Sequence, residues 1–174
     1  KYHCTRSQTL CSFEDAILKG HFFSFFQSQI SFFKKRNSIR NLGFSECGGI
    51  FVPETIPRLS QEQLVKFADL SFLELCFEIC SLFISREEIS STELKNIISQ
   101  SFSIFEDQEI VKLQDFGELE ILELFHGPTF AFKDIGLQFL GNLLNFLLQR
   151  RKQRASILVA TSGDTGLIFF FFCY

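Results

Sequence analysis

Two short segments in the second half of the chain hold residue types that could do chemistry. The first runs His126-Gly127-Pro128-Thr129-Phe130-Ala131-Phe132-Lys133-Asp134. The second is Ala160-Thr161-Ser162-Gly163-Asp164-Thr165-Gly166. A lysine amine attacks an aldehyde as the free base, and Phe130 and Phe132 supply apolar surface around Lys133. In Ser162, Gly163, Asp164, Thr165 and Gly166, the glycines permit close backbone approach, and amides opening a helix favour anions. The pair therefore reads as a Schiff-base lysine facing an anion-binding turn. Taken singly, the lysine is a surface residue at a helix start, and the loop is a strand-to-helix turn capped by Ser or Asp. His126 either orients the lysine loop or simply packs, and both readings stand.

The elements that must position these residues follow from apolar periodicity. Asp134–Gln149 reads as a helix with Leu137, Leu140, Leu144 and Leu147 or Leu148 inward. Arg150, Arg151, Lys152 and Arg154 gather at its C-terminal end, where cations favour the helix dipole, and read as a solvated cap. Ser156–Ala160 reads as a buried strand, and Ile110–Leu113 and Leu119–Phe125 are strand-like. Strand, helix, strand in this order predicts a right-handed parallel unit. Ligands in such sheets bind beyond the carboxyl ends of strands, where both segments fall.

Upstream, Ser12 with Asp15 opens a helix that Gly20 can end. Capping-box patterns recur at Ser60/Gln63, Ser71/Glu74 and Ser90/Glu93. Each precedes an apolar stripe: Leu64, Phe67 and Ala68; then Leu73, Cys76, Phe77, Cys80 and Phe83; then Leu94, Ile97, Ile98 and Phe102. A small, mostly helical N-terminal unit is expected, its apolar faces packed on each other or on later segments.

The chain has 174 residues, enough for a medium domain with a core, and a net charge of −3. That balance offers nothing to a polyanionic partner, so nucleic acid is not expected. The six cysteines form no C-x-x-C, and no histidine stands at metal-ligand spacing, so no metal is expected. They read as core thiols in a reducing, cytoplasmic setting. Lys1–Lys19 is too polar for a secretory signal. The apolar stretches 21–33 and 167–173 are too short or too broken to span a bilayer.

HGPTFAFKD followed by ATSGDTG resembles the threonine synthase family, enzymes that depend on pyridoxal 5'-phosphate. Tyr2-His3-Cys4-Thr5-Arg6-Ser7 resembles that family's opening Y-x-S-T-R. Ser12–Gly20 resembles its first helix, and Gly48-Gly49-Ile50-Phe51-Val52-Pro53-Glu54-Thr55-Ile56-Pro57 its D-G-G-L-F-x-P segment. The order is the family's. The similarity covers most of 1–20 and 43–166 and is greatest to fungal members.

The resemblance implies an α/β protein. Its small, mostly helical N-terminal domain would span 1–116, and the beginning of a fold-type II, pyridoxal phosphate-dependent parallel α/β domain would span 117–174, cut short. It implies the cofactor covalently bound to Lys133 and O-phospho-L-homoserine as small-molecule substrate. Lys133 would move protons at Cα and Cβ, phosphate would leave from Cγ, and water would add at Cβ to give L-threonine. Ser162, Gly163, Asp164, Thr165 and Gly166 would hold the substrate carboxylate. Arg6 would reach an anion, support the domain interface, or stay a surface residue.

Three departures qualify the match. Cys47 replaces the family's usual Asp. His21–Leu42, without helix or strand period, falls where the family passes directly into a short loop. It reads as a foreign insertion, translated non-coding sequence, or else a lineage-specific one. Leu167–Tyr174 sets bulky rings where the family has small residues. The family's later phosphate-binding loop has no counterpart in these residues. The expectation is a threonine synthase fragment without turnover. The alternatives are a threonine synthase-like phospholyase that releases another product, and a non-catalytic aberrant product or interaction module.

Overall fold

The computed structural model describes residues 1–7, 10–18, 49, 51–107 and 109–154, with 30–33 and 156–159 described through their backbone. The three capping boxes form as the sequence predicts. Ser60, Ser71 and Ser90 cap α2 (Gln61–Phe67), α3 (Phe72–Ser81) and α4 (Ser91–Phe102). In the last, the Ser90 amide and hydroxyl donate to Glu93 Oε2 at 2.8 and 2.7 Å, and the Glu93 amide donates to Ser90 Oγ at 3.3 Å. These bonds satisfy amides that a helix start leaves open. The first helix, α1 (Phe13–Leu18), is opened by Ser12 Oγ accepting from the Asp15 amide at 3.0 Å.

The N-terminal region also holds a sheet that periodicity did not reveal. Strands β1 (Tyr2–Cys4), β2 (Leu10–Cys11) and β4 (Phe51–Pro53) pair antiparallel in the order β2-β1-β4. The strands are two or three residues long, below the length at which alternation can be read. Gly49 stands where this sheet is tightest. A Cβ there would lie 2.6 Å from Cys4 Sγ and 2.7 Å from the Arg6 amide, so only glycine fits. Arg6 itself is exposed.

Helix α5 (Lys133–Arg150) is the longest element and lies against α4 and α1. Leu143, Leu144 and Leu147 of α5 share one core with Leu94, Ile97, Ile98 and Phe102 of α4, Ala16 and Ile17 of α1, and Tyr2. The Tyr2 hydroxyl donates to the Phe83 carbonyl at 3.0 Å, and burial pushes its pKa well above the ordinary phenol range. The expected inward face of α5 is met at Leu137, Leu144 and Leu147, with Leu143 added. The stripes of α2 and α3 behave differently. Neither helix has a fully buried residue. Leu64 and Val65 of α2 are exposed, while Phe72, Cys76, Phe77 and Cys80 of α3 pack half-buried on the core.

Lys152 and Arg154 are exposed, as a solvated cap would be, but Arg150 and Arg151 are ion-paired. Arg150 and Arg151 both grip the carboxylate of Glu14 in the first turn of α1, and Arg151 also meets Asp15 at 3.0 Å. Arg150 further donates to the Glu88 carbonyl at 2.5 Å. The Glu88 carboxylate in turn accepts from the Phe13 and Glu14 amides at 3.3 and 3.0 Å, capping α1. Acid at the start of one helix meets base at the end of another, and each sign suits the local dipole.

Strand pairing departs from the parallel unit read from the sequence. Strands β5 (Lys112–Asp115) and β6 (Glu120–Glu123) form an antiparallel hairpin, with Leu113 opposite Leu122. Its turn is closed by Phe116 N to Leu119 O at 2.8 Å and opened by Gly117 at φ 84°. Strand β7 (Ser156–Val159), after α5, pairs antiparallel with β3 (Ile30–Phe33) and not with β6. Every pairing among the described residues is antiparallel. A four-residue turn brings β5 and β6 together locally, whereas a parallel pair needs a long crossover. Strand β3 also lies inside His21–Leu42, where the sequence showed no strand period. The rest of that segment, Gly20, Cys47, Gly48 and Leu167–Tyr174 lie outside the described residues.

Removing the α4 cap with Ser90→Ala is expected to cost about 1 kcal/mol, read as a lower urea midpoint. The Ser90 bonds hold the Glu93 carboxyl below its ordinary range. That contribution is therefore complete above the unfolded glutamate pKa and is lost as pH falls through the lower folded value. The gap between wild type and Ser90→Ala should shrink on acidification below about pH 4. A gap that stays constant down to pH 2 would show that the carboxylate plays no part.

Candidate functional site

The lysine loop is built around a buried carboxylate. Asp134, the second residue of α5, is fully excluded from solvent at 0 % exposure. Its Oδ2 accepts from the Thr129 amide at 2.9 Å, and the Thr129 hydroxyl reaches both carboxylate oxygens at 2.9 and 3.0 Å. The Phe130 amide donates to the Gly127 carbonyl at 3.1 Å, and the Asp134 amide to the Ala131 carbonyl at 3.0 Å. Residues 127–134 thus close into a ring. Inside it Gly127 meets Asp134: a Cβ on Gly127 would stand 2.4 Å from the Asp134 Cβ and 2.5 Å from Oδ2.

This ring fixes the start of α5. The N-cap residue, Phe132, offers no side-chain cap. The carboxylate two residues later turns back instead and satisfies the loop. Phe130 is held at φ 57°, a conformation that a bulky residue adopts only under constraint. Lys133, the first helical residue, is therefore presented from a closed loop, half-buried, just after two aromatic residues left open to solvent. Phe130 is 79 % exposed and Phe132 57 % exposed. An amine at a helix start, on a loop that also exposes two apolar rings, fits an aromatic aldehyde cofactor, which would cover such surface. The residues expected to face it, Ser162, Gly163, Asp164, Thr165 and Gly166, lie outside the described residues.

His126 lies on the approach to the ring. Its Nε2 is 2.9 Å from Glu123 Oε2 at the end of β6, and its imidazole stacks on Phe125 at 4.7 Å. It anchors the loop to the hairpin. An open depression beside it is lined by Glu106, Asp107, Glu109, Phe125, His126 and Phe130. Three carboxylates on that rim oppose a phosphate or carboxylate ligand. Asp107 is paired with Lys112 at 2.5 Å, and this bond holds its carboxyl below the usual range. Lys133 is not among the lining residues, so the depression is separate from the lysine.

The contact between Thr129 and Asp134 is the feature of the loop that sequence reading missed. The available signal was an acid in the first helical turn with a Thr five residues before it.

The family model described as "Threonine synthase N terminus" matches residues 33–102. A threonine synthase of Schizosaccharomyces pombe is 42% identical over 156 residues, 80% of this chain and 30% of its own length. A threonine synthase-like 2 of Xenopus laevis is 42% identical over 125 residues, 71% of this chain and 26% of its own length. Among solved structures, yeast threonine synthase superposes with a TM-score of 0.69 at 39% identity, covering 86% of this chain and 26% of that one. Pyridoxal phosphate-bound threonine synthase from Brucella melitensis gives a TM-score of 0.75 at 26% identity, covering 97% of this chain and 32% of that one. The protein is of the mixed α/β class these structures represent, and over the stretch it shares with them the chain belongs to the threonine synthase family. It spans about 30% of the length of the curated S. pombe relative.

The ring makes two substitutions informative. Gly127→Ala should destabilise the protein by about 1–3 kcal/mol, because the new methyl must displace Asp134. Asp134→Ala should cost a similar amount by leaving the Thr129 donors without their acceptor, about 1–3 kcal/mol. Chemical denaturation of both measures this. Loss of less than half a kcal/mol in each would show that the ring is not a stabilising unit.

Proposed function

We propose that this chain carries the lysine-bearing part of a threonine synthase-type lyase, with Lys133 as the residue that bonds pyridoxal 5'-phosphate. The observation that supports this best is the presentation of Lys133 by the Asp134–Thr129 ring, directly after the exposed Phe130 and Phe132, within a motif that resembles the family's. Pyridoxal phosphate, when bound, supplies an electron sink for charge released at the substrate's carbon. Lys133 would hold the cofactor through its amine, and the same amine, set free, would move protons at Cα and Cβ of the substrate. Phe130 and Phe132 exclude water from the covered face. Asp134 and Thr129 touch no reacting atom and are positioning residues. Ser162, Gly163, Asp164, Thr165 and Gly166 hold the substrate carboxylate.

The reaction in this reading is O-phospho-L-homoserine plus water to L-threonine and phosphate, in the cytoplasm. Residues 1–116 form the N-terminal domain, and 117 onward the start of a fold-type II domain. A second reading is a phospholyase that keeps the same lysine and releases another product. A threonine synthase-like 2 of Xenopus laevis is as similar to this chain, at 42% identity, as the S. pombe threonine synthase is. Product analysis with a full-length version separates the two.

Borohydride reduction of the cofactor-treated protein, followed by peptide mapping, should place one label on Lys133 and none in Lys133→Ala. A label on Lys152, or no label, would sink the assignment. The 174 residues alone are expected to give no threonine from O-phospho-L-homoserine. Orientation of bound reactants lowers barriers by roughly 7–11 kcal/mol, and this chain supplies only some of the orienting walls. Turnover above the free-cofactor background, abolished by Lys133→Ala, would overturn that expectation.

A further inference from the structure

Helix α3 carries two thiols that the lysine chemistry does not use. Cys76 and Cys80 stand one turn apart, with their Sγ atoms 4.0 Å from each other. Both are free cysteines. They sit half-buried on the side of α3 that packs on the core, beside Phe72 and Phe77. The helix is anchored at its start by the complete Ser71/Glu74 capping box. Helical geometry, not a loop, therefore sets the spacing of the pair.

We propose that Cys76 and Cys80 form a two-thiol chelating site for a soft, thiophilic centre, a d10 metal cation or a trivalent arsenical. With metal–sulfur bonds of about 2.3 Å, a sulfur separation near 4 Å subtends roughly 120° at the bound atom. That angle suits a planar three-coordinate d10 cation; trivalent arsenic, pyramidal because of its lone pair, takes a smaller angle and draws the two sulfurs closer together. Among the described residues no group of three or more His, Cys, Asp and Glu could hold a metal ion. The site therefore favours a centre that brings its own third substituent. Thiolate sulfur selects soft ions, and the apolar surroundings penalise hard, hydrated ones. The hydrogen bond from Cys80 holds the Cys76 thiol below its ordinary range, while that same bond and then burial push Cys80 up.

A monosubstituted arsenous oxide shows how the bonds balance. Two As–S bonds form, the arsenic–oxygen bonds break, and the oxygen leaves as water with both thiol protons. Arsenic stays trivalent, so no oxidant or reductant is needed. Phenylarsine oxide is the probe. Intact mass of the reduced chain, after desalting in excess glutathione, should show one phenylarsenic group retained. Holding the second thiol beside the first raises its effective concentration into the millimolar range or above. Cys76→Ser and Cys80→Ser should therefore each weaken retention roughly 100-fold or more, whereas Cys11→Ser should leave it unchanged. Thermal unfolding with and without the probe gives a second readout. The probe should raise the midpoint of the natural chain and of Cys11→Ser, but not of the two α3 variants, whose circular dichroism shows whether they fold. Undiminished retention in either α3 variant, loss confined to Cys11→Ser, or no retention by the natural chain with its thiols reduced would overturn the site.

Discussion

When α4 and α5 close on each other, both ends of α5 acquire fixed places. Leu143, Leu144 and Leu147 bury against Leu94, Ile97, Ile98 and Phe102 in one core. Full burial of each such side chain contributes about 1.5–3 kcal/mol. The ion pairs between Arg151 and the acids of α1 are partly open to water, where such pairs are worth about 0–1 kcal/mol. The apolar contact therefore holds the helix in place, and the arginines set its angle to α1. At the other end the same burial carries Asp134 out of water and obliges it to find donors. Thr129 supplies them, and the lysine loop closes.

Lys133 gains its position from its neighbour. A cation on the first residue of a helix works against the dipole, and an acid there works with it. Asp134 meets that preference, yet its oxygens turn to the loop and not to the helix's own amides. One carboxylate thereby offsets the helix start and ties down the segment before it. The arrangement leaves Phe130 and Phe132 exposed, a cost that makes sense where another surface is to cover them.

Local chemistry was legible in the sequence and long-range pairing was not. Each capping box can be read because its partners stand three residues apart, and all three form. The extent of α5 and its leucine face follow from period alone. The Asp134–Thr129 ring escaped because no recurrent pattern marks a contact five residues back. The grip of Arg150 and Arg151 on Glu14 joins residues more than a hundred positions apart. Charge composition there fits a solvated cap equally well. Strand partners were misread for the same reason: order along the chain predicts a crossover, whereas β7 meets β3. For α2, an apolar stripe predicted burial that Leu64 and Val65 do not have. A stripe states what a helix could bury and not whether a partner face exists.

Buried residues on both sides of position 116 share one core. Leu143, Leu144 and Leu147 belong to the second part, yet they complete the apolar cluster of the first, together with Tyr2 and Phe13. Tyr2 packs its ring on Phe13 at 5.7 Å and donates to Phe83, so the start of the chain is tied to the turn after α3. Disturbance in β1 or α1 would therefore reach α5 through side chains already in contact. It would be felt at Lys133 as a shift of a rigid rod, because a close-packed interior transmits displacement and does not absorb it. On this physical reading the N-terminal unit serves the lysine by bracing it. Placement of the amine is then a property of the whole core, and the motif around it supplies only the last turn of chain.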